Sequence, residues 1–176
     1  MLSVSTEVLR QALDLLDNVL TEDEQLTTPS KYLPGSTIGK HLRHARDHFI
    51  LLADCVDGPE PHILSYDTRV RNTPMESKIH DARDSLKEVI GRIQDIVPRM
   101  KLDSPMTLNA VTPFMQTFET TFGRELWFTA LHAVHHWSMV RVIAGEMGIT
   151  LADDFGFAPS TLVYKNSEAP LGKGKM

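Results

Sequence analysis

Apolar side chains recur every three or four positions in four separate stretches of this chain, the spacing that gives a helix one buried face. The first runs from about Ser5 to Leu20, on Leu9, Ala12, Leu13, Leu16, Val19 and Leu20. The acidic run Thr21-Glu22-Asp23-Glu24, then Pro29, Pro34 and Gly35, marks a loop after it. The second stretch starts at Ser36, read as its N-cap, and reaches about Val56. Ile38, Leu42, Ala45, Phe49 and Leu52 form its apolar stripe, and Asp57-Gly58-Pro59 stops it. The third opens on Thr73-Pro74-Met75-Glu76, a capping box with proline at the first helical position, and is expected to end at Pro98. The fourth runs from about Thr121 to Met147, with Gly148 placed for a left-handed cap.

The fourth stretch differs from the others. Between Leu126 and Ala144 its only formal charge is Arg141. A helix apolar nearly all round is buried on most sides, so this one is expected to be central and the most buried. The expected architecture is all-α: a four-helix bundle over a single domain, 1–176. Residues 57–73 and 98–120 are long for connections in such a bundle, and long loops often shape a site. From Leu151 to Tyr164 turn signals alternate with scattered apolar residues, which predicts an irregular tail packed back on the helices.

Composition narrows the function classes. The chain has 176 residues, 41% hydrophobic and 23% charged, with a net charge of -5. No basic stripe is present, so no nucleic-acid partner is expected. No apolar run is long enough for a membrane span. The N-terminal residues lack the apolar core of a signal peptide. The one cysteine, Cys55, cannot form an internal disulfide and reads as a core thiol. A cytoplasmic location is the expectation.

Candidate chemistry lies in the histidines. His132 and His136 stand four apart on the fourth helix, and His44 and His48 four apart on the second. Residues four apart share a helix face, where two imidazoles can chelate one ion. On a helical wheel His41, His44 and His48 follow one edge of the second helix's buried arc. Lys40, Arg43, Arg46 and Asp47 fall on the far side, toward water. His132 and His136 share their face with Glu125, Thr129, Met139 and Ile143. Five of the eight histidines thus sit on two inward faces. Two or three ligands from facing helices suit a metal site in a bundle core. The alternative is a set of packed histidines satisfied by carbonyls or water. The His-Glu-x-x-His signature is missing, so a metalloprotease is not indicated. Glu125, a heptad before His132, can orient an imidazole or pair with Arg69 or Arg71. The Tyr66 to Arg71 segment reads either as a solvated loop or as a cover that brings an arginine near the site.

Thr37-Ile38-Gly39-Lys40-His41-Leu42-Arg43-His44-Ala45-Arg46-Asp47-His48-Phe49 resembles the second helix of the DinB/YfiT-like superfamily of metal-dependent enzymes. So does Gly123-Arg124-Glu125-Leu126-Trp127-Phe128 followed by His132 and His136. The tail Asp154 to Leu162 resembles one branch of that family. The resemblance implies a four-helix bundle of up-down-down-up topology. It also implies a metal held by one histidine of the second helix and two of the fourth. Carried over by position, these are His44, seven residues after Thr37, with His132 and His136. His48 is then a neighbour or an alternative ligand. Zinc or nickel is the implied ion, often with an open coordination position. Relatives include thiol transferases acting with bacillithiol or mycothiol and a maleylpyruvate isomerase.

The resulting expectation is a metal-dependent enzyme, a thiol-dependent transferase or isomerase acting on a small-molecule substrate. A low-molecular-weight thiol is a further candidate cofactor. His48, Glu125 and Arg71 are the candidates to orient or protonate, and a homodimer is compatible with this class. The rival is a non-catalytic bundle in which the histidines serve structure. The site is expected to be open and to face a pocket bordered by residues 57–73 and 98–120.

Overall fold

The computed structural model describes residues 1–68 and 70–173. Arg69, one of the arginines considered beside Glu125, lies outside them. The first apolar stretch forms α1, Leu2–Asp14, and continues through a π-helical turn, Leu15–Val19. A single turn, α2, follows at Glu24–Thr27. The second stretch is α3, Ile38–Asp57. Its N-cap is Thr37 rather than Ser36, because the Thr37 hydroxyl accepts the Lys40 N–H at 3.2 Å.

The third stretch divides in two. The capping box closes on a short 3-10 turn, Pro74–Glu76, and α4 begins only at Ile79 and runs to Arg99, one residue past Pro98. The first turn of α4 is capped from a distance. Asp23, from the acidic run after α1, accepts the Ile79 N–H at 2.9 Å. That bond, together with Lys78, holds the Asp23 carboxyl below its ordinary value. The fourth stretch is α5, Phe122–Glu146, capped by the Thr121 hydroxyl on Arg124 N–H. Gly148 follows with φ 74°, as the left-handed cap requires.

α1 packs on α4 and α5, and α3 packs on the same two helices. They share one core, whose largest buried side chains include Trp137, Phe49 and Phe122. α5 has twelve buried residues and α3 nine, so the expectation of a most-buried fourth helix holds. Its outer face is apolar rather than polar: Trp127, Leu131 and Val142 are exposed. No helix among the described residues is long and apolar enough to cross a membrane.

The structure is mostly helical, but the all-α expectation needs a correction. The two long connections supply a three-stranded sheet: β1 at Ile63–Leu64, β2 at Pro105–Ala110 and β3 at Gln116–Thr121. β1 lies parallel to β2, with Ile63 opposite Thr107, and β2 runs antiparallel to β3, with Leu108 opposite Phe118. Threonines at 107, 117, 120 and 121 favour this extended backbone.

The tail is less irregular than expected. It forms a helix, α6, at Pro159–Tyr164, and a 3-10 turn at Pro170–Gly172. Leu151, Phe155, Leu162 and Leu171 are buried. Arg141, the lone charge of α5, serves this contact. It donates to the backbone carbonyls of Phe155, at 2.8 Å, and Ala152, and its guanidinium lies 5.2 Å from the Phe157 ring centre. Gly156, at φ 73°, sits where a Cβ would meet the Trp137 carbonyl carbon at 2.7 Å. Only glycine lets the tail approach α5 that closely.

Candidate metal centre

α3 and α5 lie side by side and turn their histidine edges toward each other. His132 Nε2 is 3.1 Å from His44 Nε2 and 3.1 Å from His136 Nε2. These three nitrogens form the one cluster of potential ligands found among the described residues. The i, i+4 spacing on α5 supplies two of them, and α3 brings the third from 88 positions away. His44 and His132 are half-buried, and His136 is buried.

The donor set fits a tetrahedral divalent ion. Metal–nitrogen bonds of about 2.0–2.1 Å place neighbouring tetrahedral ligands about 3.3 Å apart, close to the observed spacing. The ligand must be neutral imidazole. Burial, then the neighbouring His132, His44, His41 and His135, push His136 down to about 2, so its ring is neutral over the physiological range.

Other residues surround the three. His48 Nδ1 donates to the backbone carbonyl of His44 at 2.9 Å. A carbonyl can only accept, so Nδ1 of His48 carries a proton, and in the neutral ring Nε2 is then the acceptor. The His48 ring is 4.1 Å from that of His132, centre to centre, and stacks on Tyr66 at 4.8 Å. Glu125 is 2% exposed and lies at the base of α5. It accepts from the Thr120 hydroxyl at 2.7 Å and the Tyr66 phenol at 3.1 Å. Burial first, then the charge of Glu125, raise the Tyr66 phenol well above its ordinary value, so it remains a donor.

Several sequence expectations find different outcomes here. Glu125 does not pair with Arg71. Arg71 is exposed and makes no hydrogen bond or ion pair among the described residues. Arg43 does not face water. It is 6% exposed, 2.9 Å from Glu76 and 2.8 Å from Asp47. Glu76 is brought over by the 3-10 turn, and the ion pair replaces the solvation that Arg43 gives up. Asp67 fastens the β2–β3 connection by accepting the Val111 N–H at 2.8 Å and the Thr112 hydroxyl at 2.5 Å. The two long connections do border an open cavity of about 390 Å3, lined by Glu60, His62, Met106, Thr107 and Glu119 among others. None of the three converging histidines lines it. Cys55 is half-buried, and burial raises its thiol.

Two residues with a direct place in the centre were missing from the sequence-based candidates. His41 Nδ1 lies 2.8 Å from His136 Nδ1. Its signal was present, because it stands three residues before His44 on the same helix edge. Tyr66 opens the segment read as a loop or a cover, but that reading brought an arginine to the site, and only the fold shows the Tyr66 ring on His48.

A mostly helical protein with three histidine nitrogens converging from two helices is the class defined so far. The sequence profile of the DinB superfamily matches residues 2–140, and the chain belongs to that superfamily. It is also similar to an FK506-binding protein 5 of Rhizopus delemar, 33% identical over 170 residues. That match covers 93% of this chain but 37% of the fungal protein, so the chain spans little over a third of its relative. No solved structure matches the chain significantly.

Proposed function

We propose that this chain binds a divalent metal, zinc or nickel, through Nε2 of His44, His132 and His136, as part of a thiol-dependent transferase or isomerase. The observation that carries the reading is the convergence of three imidazole nitrogens within 4.8 Å of one another, His132 Nε2 standing 3.1 Å from each of the other two, in a member of the DinB superfamily. On this reading α1, α3, α4 and α5 are the family's up-down-down-up bundle. Three protein ligands leave a position for a small molecule, and an ion so held lowers the pKa of a thiol or water bound to it.

The chain's own groups have distinct tasks. His44, His132 and His136 hold the ion as neutral rings. His48, fixed by the His44 carbonyl, presents Nε2 as the proton carrier beside His132. Tyr66 and Phe128 flank His48 with apolar ring surface and limit water there. Glu125 holds Tyr66 in place. The substrate class is a small electrophile and the second cofactor a low-molecular-weight thiol. A cytoplasmic setting, with no nucleic-acid or membrane partner, belongs to the same reading, and so does a homodimer.

A non-catalytic reading draws on one observation. The cavity between the two long connections is lined by none of the three histidines, so an ion there would tie α3 to α5 without facing that cavity. The test is elemental analysis of protein purified without a polyhistidine tag. Near-stoichiometric zinc or nickel is expected, lost in His132→Ala. A His132→Ala protein that binds metal as tightly as the parent overturns the assignment. A screen of low-molecular-weight thiols against electrophiles then separates enzyme from structural bundle.

A further inference from the structure

We infer that His41 is a positioning residue of this centre: it accepts the Nδ1 proton of His136 and thereby turns the Nε2 lone pair of His136 toward the ion. The inference rests on the metal reading above. His41 Nδ1 and His136 Nδ1 are 2.8 Å apart. Two imidazole nitrogens form a hydrogen bond only if one carries a proton and the other a lone pair. The opposite nitrogen of His136, Nε2, faces His132. To bind an ion there it must present its lone pair, which leaves the ring proton on Nδ1. His136 is therefore the donor, His41 Nδ1 the acceptor, and the His41 proton sits on Nε2.

A second observation separates this role from packing. His41 Nε2 is buried and has no hydrogen-bond partner among the described residues. Burying an unpaired polar atom is unfavourable, so an apolar residue would fill the same space better. The benefit of histidine must lie at Nδ1. Metal-binding histidines commonly give their second N–H to a carboxylate or a carbonyl. Here a neutral imidazole takes that place and adds no negative charge. One helix edge thus supplies both a ligand, His44, and, three residues earlier, the group that orients the ligand of the facing helix.

The test compares His41→Leu, which fills space without an acceptor, with His41→Gln, whose side-chain oxygen accepts. Zinc affinity is read by competition with a chromogenic chelator. His41→Leu is expected to weaken binding by about 10–100-fold, and His41→Gln to restore most of it. Heteronuclear NMR of the imidazole nitrogens in the zinc-loaded parent protein is expected to place the His136 proton on Nδ1. The inference is overturned if His41→Leu binds zinc as tightly as the parent, if His41→Gln is as weak as His41→Leu, or if that proton is on Nε2. Should His41→Leu fail to fold, the glutamine variant and the NMR assignment still decide. A parent protein that binds no zinc or nickel removes the metal reading itself. That outcome is distinct from a parent that binds zinc and is indifferent to position 41.

Discussion

Tyr66 reaches from the segment after β1 to donate its phenol to Glu125 at 3.1 Å. The pair fastens a long connection to the first turn of α5, with the Tyr66 ring lying over His48. Tyr66→Phe keeps the ring and removes the donor, leaving Glu125 with Thr120 as its close partner. The expected loss is about 1–3 kcal/mol, the range for a buried acceptor deprived of a partner. Urea unfolding of the metal-free protein measures it. An unchanged midpoint would show that Glu125 draws nothing from Tyr66.

The metal-free protein should lose stability as pH falls. Burial lowers both His136, to about 2, and His41 below the ordinary histidine value of 6.5. The unfolded chain therefore takes up protons below about pH 6.5 that the folded chain refuses. Each such histidine tilts stability by about 1.4 kcal/mol per pH unit. The loss begins near pH 6.5 and for His136 continues down toward its folded value. Denaturant midpoints in chelator at pH 7.5, 6.5 and 5.5 (about one unit apart around the histidine pKa) should be level at first and then fall. Equal midpoints at the two lower values would contradict the buried, neutral state of both rings.

Arg43→Ala should be among the most damaging changes outside the histidines. It removes one partner of a buried ion pair and leaves Glu76, 8% exposed, without its cation. Breaking such a pair from one side costs about 3–5 kcal/mol. Thermal unfolding of the variant measures the effect. Arg43→Met with Glu76→Gln should recover part of the loss, because the buried Glu76 charge goes with its partner and Asp47 keeps Arg46 at 3.4 Å.

Gly156→Ala tests how the tail is seated. The added methyl would meet backbone atoms of Trp137 and Ser138 at 2.7–2.8 Å, at a φ that side chains rarely adopt. A destabilisation of about 1–3 kcal/mol is expected from the backbone conformation alone. Faster proteolysis after Leu151, with helix content nearly unchanged, would place the damage in the tail.

What could be read in the sequence follows the strength of each physical signal. The four long helices were legible because their apolar stripes bury one face, and the cap at Gly148 because backbone chirality restricts that position. The sheet was not. β3 is exposed or half-exposed along its whole length, so no alternation of apolar and polar residues betrays it. Asp23 as the cap of α4 and Glu76 as the partner of Arg43 were hidden for another reason. Each pairs residues distant in sequence, and a helical wheel reports only the residue's own helix. The His132 and His136 pair was legible from its i, i+4 spacing, while the choice of His44 beside it came from the family resemblance. His41 was visible on the correct edge, but its bond to His136 depends on how α3 and α5 are docked.

His44 and His132 are separated by 88 positions of chain, and their nitrogens meet only when α3 and α5 are in register. An ion shared by them would bind the folded form far more tightly than the unfolded one, so occupancy and folding rise and fall together. At a free concentration of about a hundred times its dissociation constant, such an ion deepens the folded well by about 2.7 kcal/mol. The same linkage runs in reverse. A substitution that slackens the α3–α5 seam, even on the side away from the histidines, would raise the metal concentration needed for half-loading. Metal titration would then serve as a strain gauge for helix docking, sensitive to changes too small to unfold the chain.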